Sequence, residues 1–399
     1  MLIAAPQPLS AAPRRHFLAA ACLSVMLAAC GGGGGGSGSS EPAGNLGDLR
    51  DAQAINTLTA ASISQAAAQP DSWFKGLAAR YDVKTYRLNY ITSDAAGRKL
   101  LASGLLSVPV KPDGASSPVL SYQHATIFRN AEAPSQNVVA SEPPAQLAAQ
   151  GYIVVAADYI GFGSSFGTQH PYMEATPTAR AVVDMLQASR AWQSQNQVRD
   201  NGQLFMMGYS EGGYATMAAH RLIQQTGGSM LGSLKAAIPG AGPYDVKAAL
   251  DGLLEQTVAK YPELQGIVTP ENLSQLGDTT RKRLRQLMVL VLLHNNQGDV
   301  VFRVDGIDRY LAGDLDGLAR YNSVHLGWAP TAPVYLFHGK DDKTVPYAAS
   351  TSALQALRQQ GATAVSLTDC TASPADHLPC VPEYLRFALD RMGALAQNL

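Results

Sequence analysis

From about residue 70 the chain alternates between two kinds of apolar pattern. Short, unbroken apolar runs occur at Pro118–Gln123, Tyr152–Ala157, Gln203–Gly208, Ala236–Gly240, Pro333–His338 and Ala364–Thr368. Runs of this length without polar alternation suit strands covered on both faces. Between them, apolar residues recur at helical spacing over Thr176–Gln195, Glu211–Gln225, Ala348–Gln359 and Pro382–Gln397. Ahead of them, Tyr86–Ser93 and Lys99–Val108 flank Asp94-Ala95-Ala96-Gly97, the signature of a hairpin. This alternation predicts an α/β class: a mostly parallel sheet, opened by an antiparallel hairpin and flanked by helices on both faces.

One interval breaks the rhythm. Between Gly240 and Pro333 there is no convincing strand, while Asp245–Tyr261, Pro270–Leu276 and Thr279–His294 read as helices. The interval is expected to form a helical cap over the sheet, at about residues 244–328. Arg281, Lys282, Arg283 and Arg285 start the last of these helices and read as a solvated face.

The N-terminus carries a different signal. Arg14 and Arg15 precede an apolar stretch from Phe17 to Ala29, which ends in Leu27-Ala28-Ala29-Cys30. The stretch is too short to span a bilayer and fits a signal-peptide core. Small residues before a Cys resemble the bacterial lipobox, which implies cleavage ahead of Cys30 and lipidation of Cys30. The pair Arg14-Arg15 also resembles a twin-arginine export signal. Gly31 to Gly36, followed by Ser-Gly-Ser-Ser, reads as a flexible tether. The expected organisation is a signal peptide over 1–29, a lipidated Cys and tether over 30–45, and a globular domain over 46–399. The protein is then exported and held on a membrane by its lipid, at the periplasmic or outer face.

Composition narrows the function. Of 399 residues, 46% are hydrophobic and 15% charged, so the chain has material for a large core. Lys plus Arg is 30 against 31 for Asp plus Glu, which argues against a nucleic-acid-binding surface. The four Cys form no CxxC pair, so no zinc site is expected. In an exported chain, Cys370 and Cys380 are expected to form a disulfide. Closing so short a loop stabilises by about 2–3 kcal/mol in the chain-entropy view.

The sharpest chemical signal is Gly208-Tyr209-Ser210-Glu211-Gly212. It fits G-x-S-x-G, with a strand directly before and a helical face (Tyr214, Met217, Ala218, Leu222) directly after. Such a turn lifts the Ser210 hydroxyl clear of the sheet, and only small neighbours tolerate its crowding. It also aims the Glu211 amide at the place where an oxyanion would form. Ser is a poor nucleophile without a base, and the base must be a His oriented by a carboxylate. Five His follow Ser210, at positions 220, 294, 325, 338 and 377.

His338-Gly339-Lys340-Asp341-Asp342-Lys343-Thr344-Val345-Pro346 resembles the acid loop of α/β-hydrolases, H-G-x-x-D-x-x-V-P. The resemblance implies Asp342 as the acid, with Asp341 a decoy and His338 a structural strand-end residue. It implies His377 as the base, in the loop between the last strand and the C-terminal helix. In that fold the second oxyanion amide follows an early strand, here at His124 or Ala125. Asp158-Tyr159-Ile160-Gly161-Phe162-Gly163 resembles a turn of the same superfamily, with Asp158 holding the loop. Tyr122-Gln123-His124, Gly208–Gly213 and the large insertion are most similar to the secretory lipases and their bacterial lipoprotein relatives. That likeness implies a carboxylic ester hydrolase acting on small-molecule or lipid esters, with no cofactor and no metal. Two other readings stay open: a serine peptidase using the same three residues, and a tethered binding protein without chemistry.

Overall fold

A computed structural model of the chain describes residues 41–293 and 298–399. The expected signal peptide over 1–29, Cys30 and most of the expected tether lie outside the described residues, as does His294. Residues 41–399 form one compact unit.

The strands, in chain order, are β1 (Leu49–Leu58), β2 (Val83–Ser93), β3 (Lys99–Pro109), β4 (Ser117–Gln123), β5 (Ile153–Ala157), β6 (His170–Pro171), β7 (Asp200–Tyr209), β8 (Leu234–Gly240), β9 (Phe302–Arg303), β10 (Val334–His338) and β11 (Val365–Asp369). Among the described residues, all but β6 and β9 make one sheet in the order β1-β2-β3-β5-β4-β7-β8-β10-β11. The pairs β1–β2, β2–β3 and β3–β5 are antiparallel, and the rest are parallel. The helices are α1 (Ala60–Ala67), α2 (Pro143–Ala148), α3 (Ala175–Gln195), α4 (Glu211–Thr226), α5 (Gly228–Ser233), α6 (Val246–Lys260), α7 (Asp278–Leu292), α8 (Asp305–Ala312), the single turn α9 (Leu315–Gly317), α10 (Ala348–Gln359) and α11 (Val381–Gly393).

The unbroken apolar runs are explained by burial on both sides. Along β7, Leu204 and Met206 join the core under α3 and α4, while Phe205 and Met207 join the core under α11. In β5, Ile153 and Val155 face the first core and Val154 the second. Successive side chains point to opposite faces, so a strand covered twice must be apolar at every position.

β1 escaped the sequence pattern because its residues are almost all exposed. It is an edge strand paired only with β2, so nothing selects an apolar run there. Pro270–Leu276 is not a helix: it holds only a tight turn at Leu273–Gln275. Asn272 offers the backbone an alternative there, accepting from Thr269 N at 3.0 Å and donating to the Ile267 carbonyl at 2.9 Å.

The interval between β8 and β10 folds as α6 to α9 and packs on the same core as α3 and α4, through Leu250, Leu254, Leu287, Met288 and Ile307. Part of the basic cluster is used within it. Arg285 pairs with Asp308 of α8, and Arg281 donates to the Ser274 and Leu276 carbonyls. Beyond α7 the chain returns to the body, where β9 pairs with β6.

His220, on α4, is fully buried against Trp328, and neither ring nitrogen has a hydrogen-bond partner among the described residues. Burial holds its pKa down at about 3. Below the ordinary imidazole range, near 6.5, the unfolded chain binds a proton that the folded chain refuses, so stability is lost as the pH falls from there toward 3. His220→Phe removes that proton. Its melting temperature relative to the parent is expected to be more favourable at pH 5 than at pH 7.5. Equal differences at both pH values contradict this.

Candidate active site

Ser210 sits between β7 and α4 with φ 59° and ψ −124°, a conformation L-residues rarely adopt. The surroundings leave it no alternative. Its N–H donates to the Gly240 carbonyl of β8 at 2.9 Å, and Tyr214 N–H donates to its carbonyl at 3.1 Å. A Cβ at Gly208 would lie 2.3 Å from the Gly212 carbonyl oxygen, and one at Gly212 would lie 2.1 Å from the Gln123 carbonyl oxygen. The glycines of the motif are therefore required by backbone passing backbone. Tyr384 of α11 braces the turn from below. Its hydroxyl accepts from Gly208 N–H at 2.9 Å and lies 2.7 Å from the Ile238 carbonyl.

The fold brings together three residues from distant parts of the chain. His377 Nε2 is 2.9 Å from Ser210 Oγ, and its Nδ1 is 2.6 Å from Asp342 Oδ2. Both Asp342 and His377 are buried. Asp342 Oδ1 accepts from Thr344 N at 2.9 Å and Val345 N at 2.8 Å. Oδ2 also lies 3.2 Å from Nε2 of His338, whose other nitrogen lies 2.6 Å from the Ser350 hydroxyl of α10. Burial pushes the Asp342 carboxyl up, but hydrogen bonds from His338 and His377 outweigh it and hold the pKa at about 2. The other two described histidines that follow Ser210 are engaged elsewhere. His220 is buried in α4, and His325 bonds the Tyr244 carbonyl at 2.9 Å.

The loops carrying Asp342 and His377 are clasped to each other. Asp341 Oδ2 accepts from Ala375 N at 2.9 Å. Asp376 Oδ1 accepts from Lys343 N at 3.0 Å and His377 N at 2.8 Å. A Cβ at Gly339 would lie 2.0 Å from the Ala375 carbonyl oxygen, so this glycine allows the clasp. The Cys370–Cys380 disulfide closes the loop that contains His377. Tyr209, next to the nucleophile, donates to the His377 carbonyl at 2.8 Å.

Ser210 and His377 open onto a cavity of about 280 Å³. Tyr122, Phe128, Leu250, Leu253 and Leu292 are among its walls, with Trp73 and Leu378 exposed at its margin. Ala125 and Thr126 also line it. The His124 ring instead stacks on Tyr159 with centroids 4.0 Å apart, and its Nε2 lies 3.3 Å from the Asp158 carbonyl. Glu211 begins α4, so no helical carbonyl is available to its N–H. Asp158 holds its turn as expected: it accepts from Ser103 Oγ at 2.6 Å and from Ser135 N at 2.8 Å. Among the described residues, no group of His, Cys, Asp and Glu is arranged to hold a metal ion.

Three contacts carried no sequence signal: His338 on Asp342, Tyr384 under the turn, and a buried pair between the Glu211 side chain and His170 at 2.7 Å. The first joins the end of β10 to the loop that follows it, and the other two join residues that only the fold brings together.

The sequence model of the secretory lipase family matches residues 144–291. No curated protein matches the chain. Among solved structures, the rice cell wall degrading esterase LipA from Xanthomonas oryzae is 23% identical. The match covers 89% of this chain and all of that one, with a TM-score of 0.69. A protein of Legionella pneumophila is 24% identical over 87% of this chain and 97% of its own, with a TM-score of 0.68. Candida antarctica lipase A in its closed state is 17% identical over 87% and 83%, with a TM-score of 0.53. These likenesses establish the α/β-hydrolase fold, a large mostly parallel sheet flanked by helices.

Because the disulfide and the Asp341 and Asp376 bonds share the fixing of the His377 loop, reducing that restraint should misplace the imidazole. The double variant Cys370→Ser, Cys380→Ser is expected to lose on the order of tenfold to hundredfold in kcat on an ester substrate, with KM changing less. A folded double variant with unchanged kcat contradicts this.

Proposed function

We propose that this α/β-hydrolase, matched to the secretory lipases over residues 144–291, is a carboxylic ester hydrolase that works through an acyl-enzyme on Ser210. The observation that carries the reading is the unbroken relay from Ser210 Oγ to His377 at 2.9 Å and on to Asp342 at 2.6 Å. His377 Nε2 takes the Ser210 proton as Oγ attacks the ester carbonyl. The carbonyl π-electrons move to oxygen, and the oxyanion is held by the N–H of Glu211 and that of Ala125. His377 then gives its proton to the leaving alkoxide, and the C–O bond breaks. Water repeats the sequence and releases the acid. Asp342 keeps its charge throughout and fixes His377 with Nδ1–H toward it. Each oxyanion donor is worth about 3–4 kcal/mol of barrier.

The cavity bears on the substrate. Its described lining includes no Asp or Glu. A peptidase that grips a free amine needs such a carboxylate, so the lining favours neutral, apolar esters. A volume of about 280 Å³ sits at the small end of small-molecule sites, which favours short or medium acyl chains. The lipobox-like Leu27–Cys30 and the polyglycine tether support an exported enzyme held on a membrane by a lipid on Cys30.

The test is hydrolysis of p-nitrophenyl esters from acetate to palmitate by the purified protein and by Ser210→Ala. Turnover should peak at short or medium chains and vanish in the variant. Ser210→Ala that keeps the parent's turnover, or a folded parent that cleaves aminoacyl amides but no ester, contradicts the reading.

A further inference from the structure

Only the backbone of Glu211 takes part in the proposed reaction. Its side chain nevertheless turns inward and is 3% exposed. Oε1 lies 2.7 Å from Nε2 of His170, which is 2% exposed. The other ring nitrogen, Nδ1, lies 2.9 Å from the Ile160 carbonyl. A carbonyl only accepts, so Nδ1 carries a proton. Nε2 faces a carboxylate oxygen, and at that distance a second proton lies between them. Imidazole and carboxylate together are then neutral, whichever of the two holds the shared proton.

The position of the pair gives this proton a consequence. Glu211 follows the nucleophile directly, and its N–H faces the developing oxyanion. A bare carboxylate on the same residue would oppose that charge in a site where little water screens it. Phe162 and Phe302 pack edge-on to the His170 ring with centroids 5.2 and 5.1 Å away, which keeps water out. The titratable and charged groups facing the pair are His124 after β4, Asp158 after β5, Glu174 ahead of α3, and Arg303 on β9. With them stand the phenols of Tyr159 and Tyr172. Glu174 is paired with Arg303 at 3.1 Å, and Asp158 is bonded to two serines, so both are engaged elsewhere and the partner of Glu211 is His170. Burial would raise the Glu211 carboxyl, yet His170, then His124 and the Thr126 hydroxyl, hold it below the usual range.

We propose that His170 is a positioning residue for ester hydrolysis: its proton cancels the Glu211 charge behind the oxyanion site and fixes the start of α4. The assignment rests on the acyl-enzyme reading above. It also ties the site to the helical insertion, because His170 lies on β6 and its N–H donates to the Val301 carbonyl at 2.8 Å.

The test is a double-variant cycle on the full chain with an ester substrate. His170→Asn leaves the Glu211 charge uncancelled, and kcat is expected to fall by at least about tenfold while KM stays within about threefold. Adding Glu211→Gln to that variant removes the charge and should restore most of the loss. A purely structural role predicts that the double variant is no better than the single one, and that result overturns the proposal. If His170→Asn does not fold, His170→Gln takes its place: the same fall in kcat at nearly unchanged KM and the same rescue by Glu211→Gln are expected, and no rescue overturns the proposal. Failure of the acyl-enzyme reading looks different: the parent then shows no Ser210-dependent turnover at all.

Discussion

The close passage of three strand ends beneath one residue governs this molecule. β4, β7 and β8 end side by side, and the chain must turn from β7 into α4 within that crowd. The Gln123 carbonyl comes so near that Gly208 and Gly212 have no room for a side chain, and the Gly240 carbonyl leaves none at Gly213. Ser210 is left with a positive φ, a strain the surrounding hydrogen bonds hold in place. The same crowding sets the Ser210 hydroxyl beside the cavity and gives the site its location at the ends of the parallel strands. Packing forms the turn, and the proposed chemistry uses it.

The remaining groups are held by a second arrangement. The acid and histidine loops lie after neighbouring strands, β10 and β11, and are joined by backbone-to-carboxylate bonds to Asp341 and Asp376, while a disulfide closes the histidine loop on itself. Asp342 is consequently buried with every oxygen engaged. Four donors surround it, two of them imidazole rings, which is why it stays charged despite burial. His338 and Ser350 extend this chain of bonds into α10. The aspartates on either side of the relay are thus structural, each satisfying backbone N–H groups that the tight loops leave free.

The sequence was most legible where physics forces a residue type. Double burial made the central strands unbroken apolar runs, so β4, β5, β7, β8, β10 and β11 could be read to within a few residues. Crowding forced the glycines around Ser210, and the acid-loop resemblance pointed to Asp342 and His377, which the fold brings within hydrogen-bond reach of each other. Legibility failed where no such constraint acts. β1 is an exposed edge with no apolar signature. The turn at Leu273–Gln275 depends on where one Asn side chain bonds. The pairing of Glu211 with His170 links an elbow residue to a two-residue strand, and no spacing along the chain encodes that meeting.

The central claim is that Ser210 is a nucleophile activated by His377 and Asp342. It is tested most directly by reacting the purified protein with a fluorophosphonate and locating the adduct by peptide mass spectrometry. One label per chain is expected, on Ser210, with much slower labelling in His377→Ala and Asp342→Ala. A folded protein that takes no label, or takes it on another residue, or labels equally fast in those variants, would contradict it.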